Sequence, residues 1–187
     1  DILAGDVNPS GRTSDLWAAD FTADPTFANF GGFVYDNIEA SFPVPAIEKA
    51  TSNATLTSDA PFVNYAEGIY FGYRYYETAA AEGFIDYDQA VVYPFGYGLS
   101  YTDFSWKVVA TEAGAVDGKI SVTVEVTNTG TTAGKDVVEL YYSAPYTAGG
   151  IEKSEVVLGG FTKTGLLEPG ASETVTIDLA VEEMASY

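Results

Sequence analysis

Tyr93-Pro94-Phe95-Gly96-Tyr97-Gly98-Leu99-Ser100-Tyr101-Thr102 sets two glycines among aromatic residues directly after a proline. Proline fixes its own φ, and glycine lets another segment come to backbone distance. The stretch therefore reads as a connector packed tightly between two parts of the chain, not as a free linker. Before it the sequence has mixed character; after it, the signals are those of strands.

The clearest lie at Lys119–Asn128, where Ile120, Val122, Val124 and Val126 alternate with Ser121, Thr123, Glu125 and Thr127. A period of two places one set on a buried face and the other in solvent. Asn128-Thr129-Gly130 is a turn, 136–143 a second strand, and 156–164 a third. Leu167-Glu168-Pro169-Gly170 then turns into a fourth strand over 173–179. Short strands at roughly eight- to twelve-residue spacing, separated by turn chemistry, indicate a β-sandwich.

Upstream, Asp1-Ile2-Leu3-Ala4 reads as a last helical turn closed by Gly5, so the chain is expected to be a piece of a longer protein. Asn8-Pro9-Ser10-Gly11 reads as a turn. Residues 21–62 hold no sustained period and read as an irregular insertion with room for a short strand or two; Asn53-Ala54-Thr55 within it is taken as a chance sequon match. Ile69–Tyr75 is β-branched and aromatic and reads as a strand, followed by a short helix over 77–83 ended by glycine.

Composition narrows the chemistry. The 187 residues are 47% hydrophobic and 19% charged, enough to build a core. A formal charge of −19 repels phosphate backbones and anionic headgroups, so neither nucleic acid nor a membrane is an expected partner. No apolar run reaches the roughly 20 residues that span a bilayer. With no cysteine and no histidine, disulfides, thiolate zinc sites and a Ser-His-Asp triad are excluded within the chain. No metal site and no cofactor is expected; Asp86-Tyr87-Asp88 lacks the spaced oxygen ligands of a calcium loop.

Four motifs share one order: Gly5-Asp6-Val7-Asn8-Pro9-Ser10-Gly11-Arg12, Glu67-Gly68-Ile69-Tyr70-Phe71-Gly72-Tyr73-Arg74-Tyr75-Tyr76, the Tyr93–Thr102 connector, and Val126-Thr127-Asn128-Thr129-Gly130-Thr131-Thr132-Ala133-Gly134-Lys135. Together they resemble the C-terminal region of glycoside hydrolase family 3, the β-glucosidases and their relatives. The resemblance implies an α+β arrangement: the end of an α/β sandwich domain over 1–103, with the connector at 93–102, then a fibronectin type III-like β-sandwich over 104–187.

Glycoside hydrolysis needs two carboxyl groups at the scissile bond. In the family resembled, the nucleophile lies on a (β/α)₈ barrel and the acid/base lies ahead of the Gly-Asp-Val-Asn-Pro-Ser-Gly motif. The resemblance therefore implies no catalytic residue in this chain, which would be the non-barrel segment of a retaining β-glucosidase. Its expected partners are a β-glucoside or oligosaccharide and the barrel-containing remainder, in the same chain or another.

Two stretches are candidate substrate contacts. Tyr70, Tyr73 and Arg74 could form a sugar platform; equally, the run is a packed aromatic strand in which Arg74 is neutralised by Glu67, Glu77 or Asp6. The loop Ala144–Gly150 could present Tyr146 to a neighbouring site or serve as a plain connector. The alternative to an enzyme segment is a carbohydrate-binding or adhesive β-sandwich module without catalysis, or a spacer. A free-standing module would need neither the first nor the third motif.

Overall fold

The alternation at Lys119–Asn128 becomes a strand, β6, with those same bounds. The computed structural model describes residues 1–30, 33–34, 61–114 and 118–185. Through them run β1 (Trp17–Ala18), α1 (Pro25–Asn29), β2 (Phe33–Val34), β3 (Pro61–Phe62), α2 (Tyr73–Ala81), α3 (Tyr87–Ala90), β4 (Val91–Tyr93), β5 (Phe104–Gly114), β6, β7 (Val137–Tyr142), β8 (Val157–Lys163) and β9 (Ser172–Ala180).

One sheet has the order β5-β6-β9 and a second pairs β7 with β8, all antiparallel. β6 and β9 run in unbroken register from Lys119↔Ala180 to Thr127↔Ser172. Their outer face is polar and paired across the strands: Thr123 meets Thr176 at 3.0 Å, Thr127 meets Ser172 at 2.7 Å, and Ser121 donates to Asp178 at 2.6 Å. Their inner face packs Val124, Val126, Val175 and Ile177 against Val138 of β7 and Leu167, a β-sandwich core. Gly159 is the extra residue of a bulge in β8, and both it and Gly160 lie where a Cβ would press within 2.8 Å of Leu179 or Ile177. Replacing Gly160 with alanine is therefore expected to destabilise the fold by about 1 kcal/mol through overpacking, read from urea denaturation.

Four expectations change. Phe104–Gly114 is a strand that the alternation did not announce: the register shifts between Val108 and Ala110, so a bulge at Val109 breaks the period. Ile69–Tyr75 is not a strand. Residues 66–69 turn, Gly72 caps at φ +53°, and α2 begins at Tyr73. The aromatics there follow a helical spacing, with Tyr76 and Ala79 turned inward and buried, and this packing overrides their β propensity. Gly83 does end the helix, in a positive-φ turn in which Phe84 N–H reaches Ala79 C=O at 2.8 Å.

Asn8–Gly11 does not form a turn; Asn8 is held there by bonds to distant segments. Gly5 behaves as expected: at φ +83° it donates to Ile2 C=O while Asp6 N–H reaches back to Asp1 C=O, the pairing that closes a helical turn. Asp86, weighed above as an oxygen ligand, caps α3 by accepting from Asp88 N–H, and among the described residues no carboxylate cluster could hold a metal. Among the same residues no helix is long and apolar enough to cross a membrane.

The insertion is shorter than expected at its start. Phe21–Ala23 forms a 3₁₀ turn and Pro25–Asn29 a helix, each capped by the aspartate before it. β2 and β3 pair antiparallel, and residues 35–60, with Asn53, lie outside the described residues.

Candidate functional site: a locked connector and a tyrosine-walled cavity

The connector is held from both sides. Its first half lies along residues 13–19: Thr13 N–H donates to Tyr97 C=O at 2.8 Å, Gly96 N–H donates to Thr13 C=O at 2.9 Å, and Trp17 pairs with Tyr93. Its second half meets Asn8, whose Oδ1 accepts from Ser100 Oγ (3.1 Å) and Tyr101 N–H (2.8 Å) while Nδ2 donates across to Ala133 C=O (3.0 Å). The glycines are there for close approach. A Cβ on Gly98 would collide with Arg12 and the Gly11 carbonyl, and one on Gly134 would sit 2.6 Å from Asn8 Nδ2.

Beneath this lies a buried ion pair. Arg12 Nη2 bonds Asp136 Oδ1, with side chains 21% and 4% exposed. The second oxygen, Asp136 Oδ2, accepts from Trp106 Nε1–H at 2.8 Å, and Oδ1 also accepts from Val137 N–H at 2.9 Å, so both carboxylate oxygens are engaged. Nearby, Asn128 is completely buried and satisfied. It accepts from Thr102 Oγ1 (2.6 Å) and donates to Thr132 C=O (2.8 Å) and Leu167 C=O (2.9 Å). Residues 5–12, 93–102 and 126–136 thus form one interlock, which accounts physically for three of the four motifs.

The remaining motif builds a cavity of about 560 Å³ between α2 and the sandwich. Tyr70, Tyr75 and Phe84 wall it on one side and Tyr146 on the other. Tyr146 projects, half-exposed, from a loop turned by Gly149 at φ +80°, where Gly150 N–H returns to Thr147 C=O at 2.8 Å. The Tyr70 hydroxyl donates to Glu152 Oε2 at 2.5 Å, and Glu67 accepts from Asn29 Nδ2 at 2.7 Å. Glu82, Lys153 and Glu155 complete the polar lining.

The structure thus brings two of the four candidate residues, Tyr70 and Tyr146, to one cavity. Tyr73 faces elsewhere: its hydroxyl accepts from Leu158 N–H at 2.9 Å, and its ring meets Phe95 at 4.7 Å and Tyr141 at 6.1 Å. That ties α2 to β7, β8 and the connector, and leaves Tyr73 on the wall of a second cavity of about 600 Å³ with Phe21, Phe27 and Phe71.

Arg74 is half-buried over the Phe71 ring, 5.6 Å from its centroid, and forms none of the three expected ion pairs. Glu67 is taken by Asn29, Glu77 by the Tyr87 hydroxyl, and Asp6 lies 3.4 Å from the Asp1 amino group. The buried arginine that pairs is Arg12. Its partner stands 124 positions away, and the signal that could have found it was Arg12 inside a motif with no other work for a cation.

Several phenols are held protonated. The hydrogen bond to Glu152, then burial, push the Tyr70 hydroxyl up to about 12; burial, then the charge of Asp24, push Tyr76 up to about 12. Burial ahead of a carboxylate bond raises Tyr87 (with Glu77) and Tyr141 (with Glu139) as well. A phenol whose folded pKa lies above its unfolded value of 10 contributes stability that is intact below pH 10 and lost as pH rises towards 12. Alkaline titration by phenolate absorbance is expected to show these four tyrosines ionising late, together with unfolding.

Known proteins resemble this chain over nearly its whole length. A family model described as a fibronectin type III-like domain matches residues 136–187. β-Glucosidase A of Butyrivibrio fibrisolvens is 41% identical over 199 residues, covering 100% of this chain and 20% of the relative. The solved β-glucosidase of Paenibacillus barengoltzii is 39% identical with a TM-score of 0.76, covering 100% of this chain and 17% of that one. For the Bifidobacterium adolescentis GH3 β-glucosidase the values are 30% and 0.69, over 97% and 21%. The chain matches a segment of glycoside hydrolase family 3 enzymes. It spans about a fifth of the length of the relatives it matches, and the residues matched as fibronectin type III-like take in β7, β8 and β9.

Proposed function

We propose that the chain is the non-barrel segment of a retaining β-glucosidase: it scaffolds the enzyme, carries neither catalytic carboxylate, and works with a barrel-containing remainder in the same or another chain. The observation that carries this reading is the pairing of a whole-chain match with coverage of about a fifth of each relative. The interlock supports it, because Asn8 and Arg12 bind the first part of the chain rigidly to the sandwich. We place the division between the end of an α/β sandwich domain and the fibronectin-like unit at 103/104. The exposed Trp17, Val92 and Tyr93 on the two-stranded β1/β4 sheet are apolar surface for the remainder to cover, since two strands alone make a marginal sheet.

Of the residues singled out as substrate contacts, Tyr70 and Tyr146 carry that role in this reading, while Tyr73 and Arg74 hold the cavity wall in place. The test is turnover of an aryl β-glucoside. The purified chain alone is expected to show none above background, because double displacement fails without its carboxylate pair, and addition or co-expression of the barrel-containing remainder is expected to give activity. Turnover by the chain alone, with contaminating glucosidase excluded, would refute the reading.

A further inference from the structure

We propose that the cavity between α2 and the loop Ala144–Gly150 is a binding site for an uncharged pyranoside, resting on the reading of Tyr70 and Tyr146 as sugar contacts. A pyranose presents two kinds of surface: a flat face of C–H groups and a rim of hydroxyls that both donate and accept. The cavity matches both. Tyr70, Tyr75, Tyr146 and Phe84 supply flat apolar area, and about 560 Å³ is ample for one or two sugar rings.

The rim is met by acceptors already fixed in place. Glu152 is oriented by the Tyr70 hydroxyl and Glu67 by Asn29 Nδ2, and each keeps lone pairs to spare, since a carboxylate offers about four acceptor sites. Acceptors fixed before the ligand arrives lower the ordering cost of binding. The Glu155 backbone N–H is engaged by Thr78 Oγ1 at 2.9 Å, which ties the sandwich side of the cavity to α2 and keeps the two walls at a set separation.

Charge decides the ligand class. Four carboxylate residues, Glu67, Glu82, Glu152 and Glu155, line the cavity against one lysine, Lys153, in a chain whose formal charge is −19. A sugar phosphate or uronate would be repelled from this lining, whereas a neutral pyranoside brings no charge to desolvate. Tyr146 stands at the mouth, half-exposed, where it can cover a bound ring and move aside without disturbing the core.

The test is titration of the full 187-residue chain with methyl β-D-glucopyranoside, cellobiose and glucose 6-phosphate, followed by calorimetry and by the ¹H–¹⁵N spectrum. The two neutral sugars are expected to bind saturably, with shifts concentrated at Tyr70, Tyr146 and Glu152, and glucose 6-phosphate at least tenfold more weakly. Tyr146→Ala, on an exposed side chain, is expected to weaken the neutral sugars about tenfold with an unchanged melting temperature; Glu152→Gln, which keeps an acceptor oxygen, is expected to weaken them less. No saturable binding, equal binding of the phosphate, or binding indifferent to Tyr146→Ala overturns the site. An enzyme that is active after recombination while its segment binds no sugar leaves the proposed function standing and removes only this inference.

Discussion

Asp136→Ala is expected to cost about 3 kcal/mol of stability, read as a lowered urea midpoint at unchanged slope. The substitution removes one carboxylate and strands several partners. The Arg12 guanidinium, about four-fifths buried, is left with a charge and no acceptor, and Trp106 Nε1–H and Val137 N–H lose theirs. Breaking a buried pair by removing one partner costs about 3–5 kcal/mol, and the lower end applies because Arg12 keeps some contact with water. Because Asp136 N–H and C=O bond Thr164 through the backbone, the start of β7 should survive the change. The damage should instead show as loosening of residues 5–12 and of the connector, visible as faster amide exchange there.

Asn128→Ala is expected to cost about 2–3 kcal/mol. Two backbone carbonyls, of Thr132 and Leu167, lose a donor, and the Thr102 hydroxyl and the Gly130 N–H lose an acceptor. Each buried group left unpaired costs about 1–3 kcal/mol, offset in part where the turn can admit water. Asn128→Asp is the informative second variant. It keeps the shape and the acceptor but cannot donate, so it should lose the two carbonyl bonds, keep the Thr102 bond, and bury a charge besides. A smaller loss for aspartate than for alanine would show that the acceptor side, facing the connector, dominates.

Much of the sandwich was legible because its strands obey one local rule. Lys119–Asn128 has the bounds of β6, and 136–143, 156–164 and 173–179 bracket β7, β8 and β9 to within a residue. Where the rule is locally broken, as at Val109 on the edge strand β5, the strand was invisible although its composition suited one. The aromatic run before α2 was misread for a related reason: propensity reports side-chain shape, whereas the helix is decided by Gly72 and by which rings find partners.

The site divides the same way. Tyr70 and Tyr146, 76 positions apart in the sequence, were each nominated on chemistry, and only the fold puts them in one cavity. The pairing of Arg12 with Asp136 spans 124 positions and follows no local period, so the sequence offered only the clue of an arginine in a turn-like motif. Arg74 gives the more conspicuous local signal, because its aromatic neighbours point to burial. The guanidinium instead lies over a single ring, Phe71.

The motif ending in Arg12 locks the first part of the chain to the sandwich. A double-mutant cycle of Arg12→Ala and Asp136→Ala, measured by urea denaturation, tests it most directly. If the two residues act as one device, the second substitution costs little once the first is made, and the coupling energy is about 2 kcal/mol or more. Additive losses, with coupling below about 0.5 kcal/mol, would mean that the two side chains stabilise the fold separately and that the lock is not there.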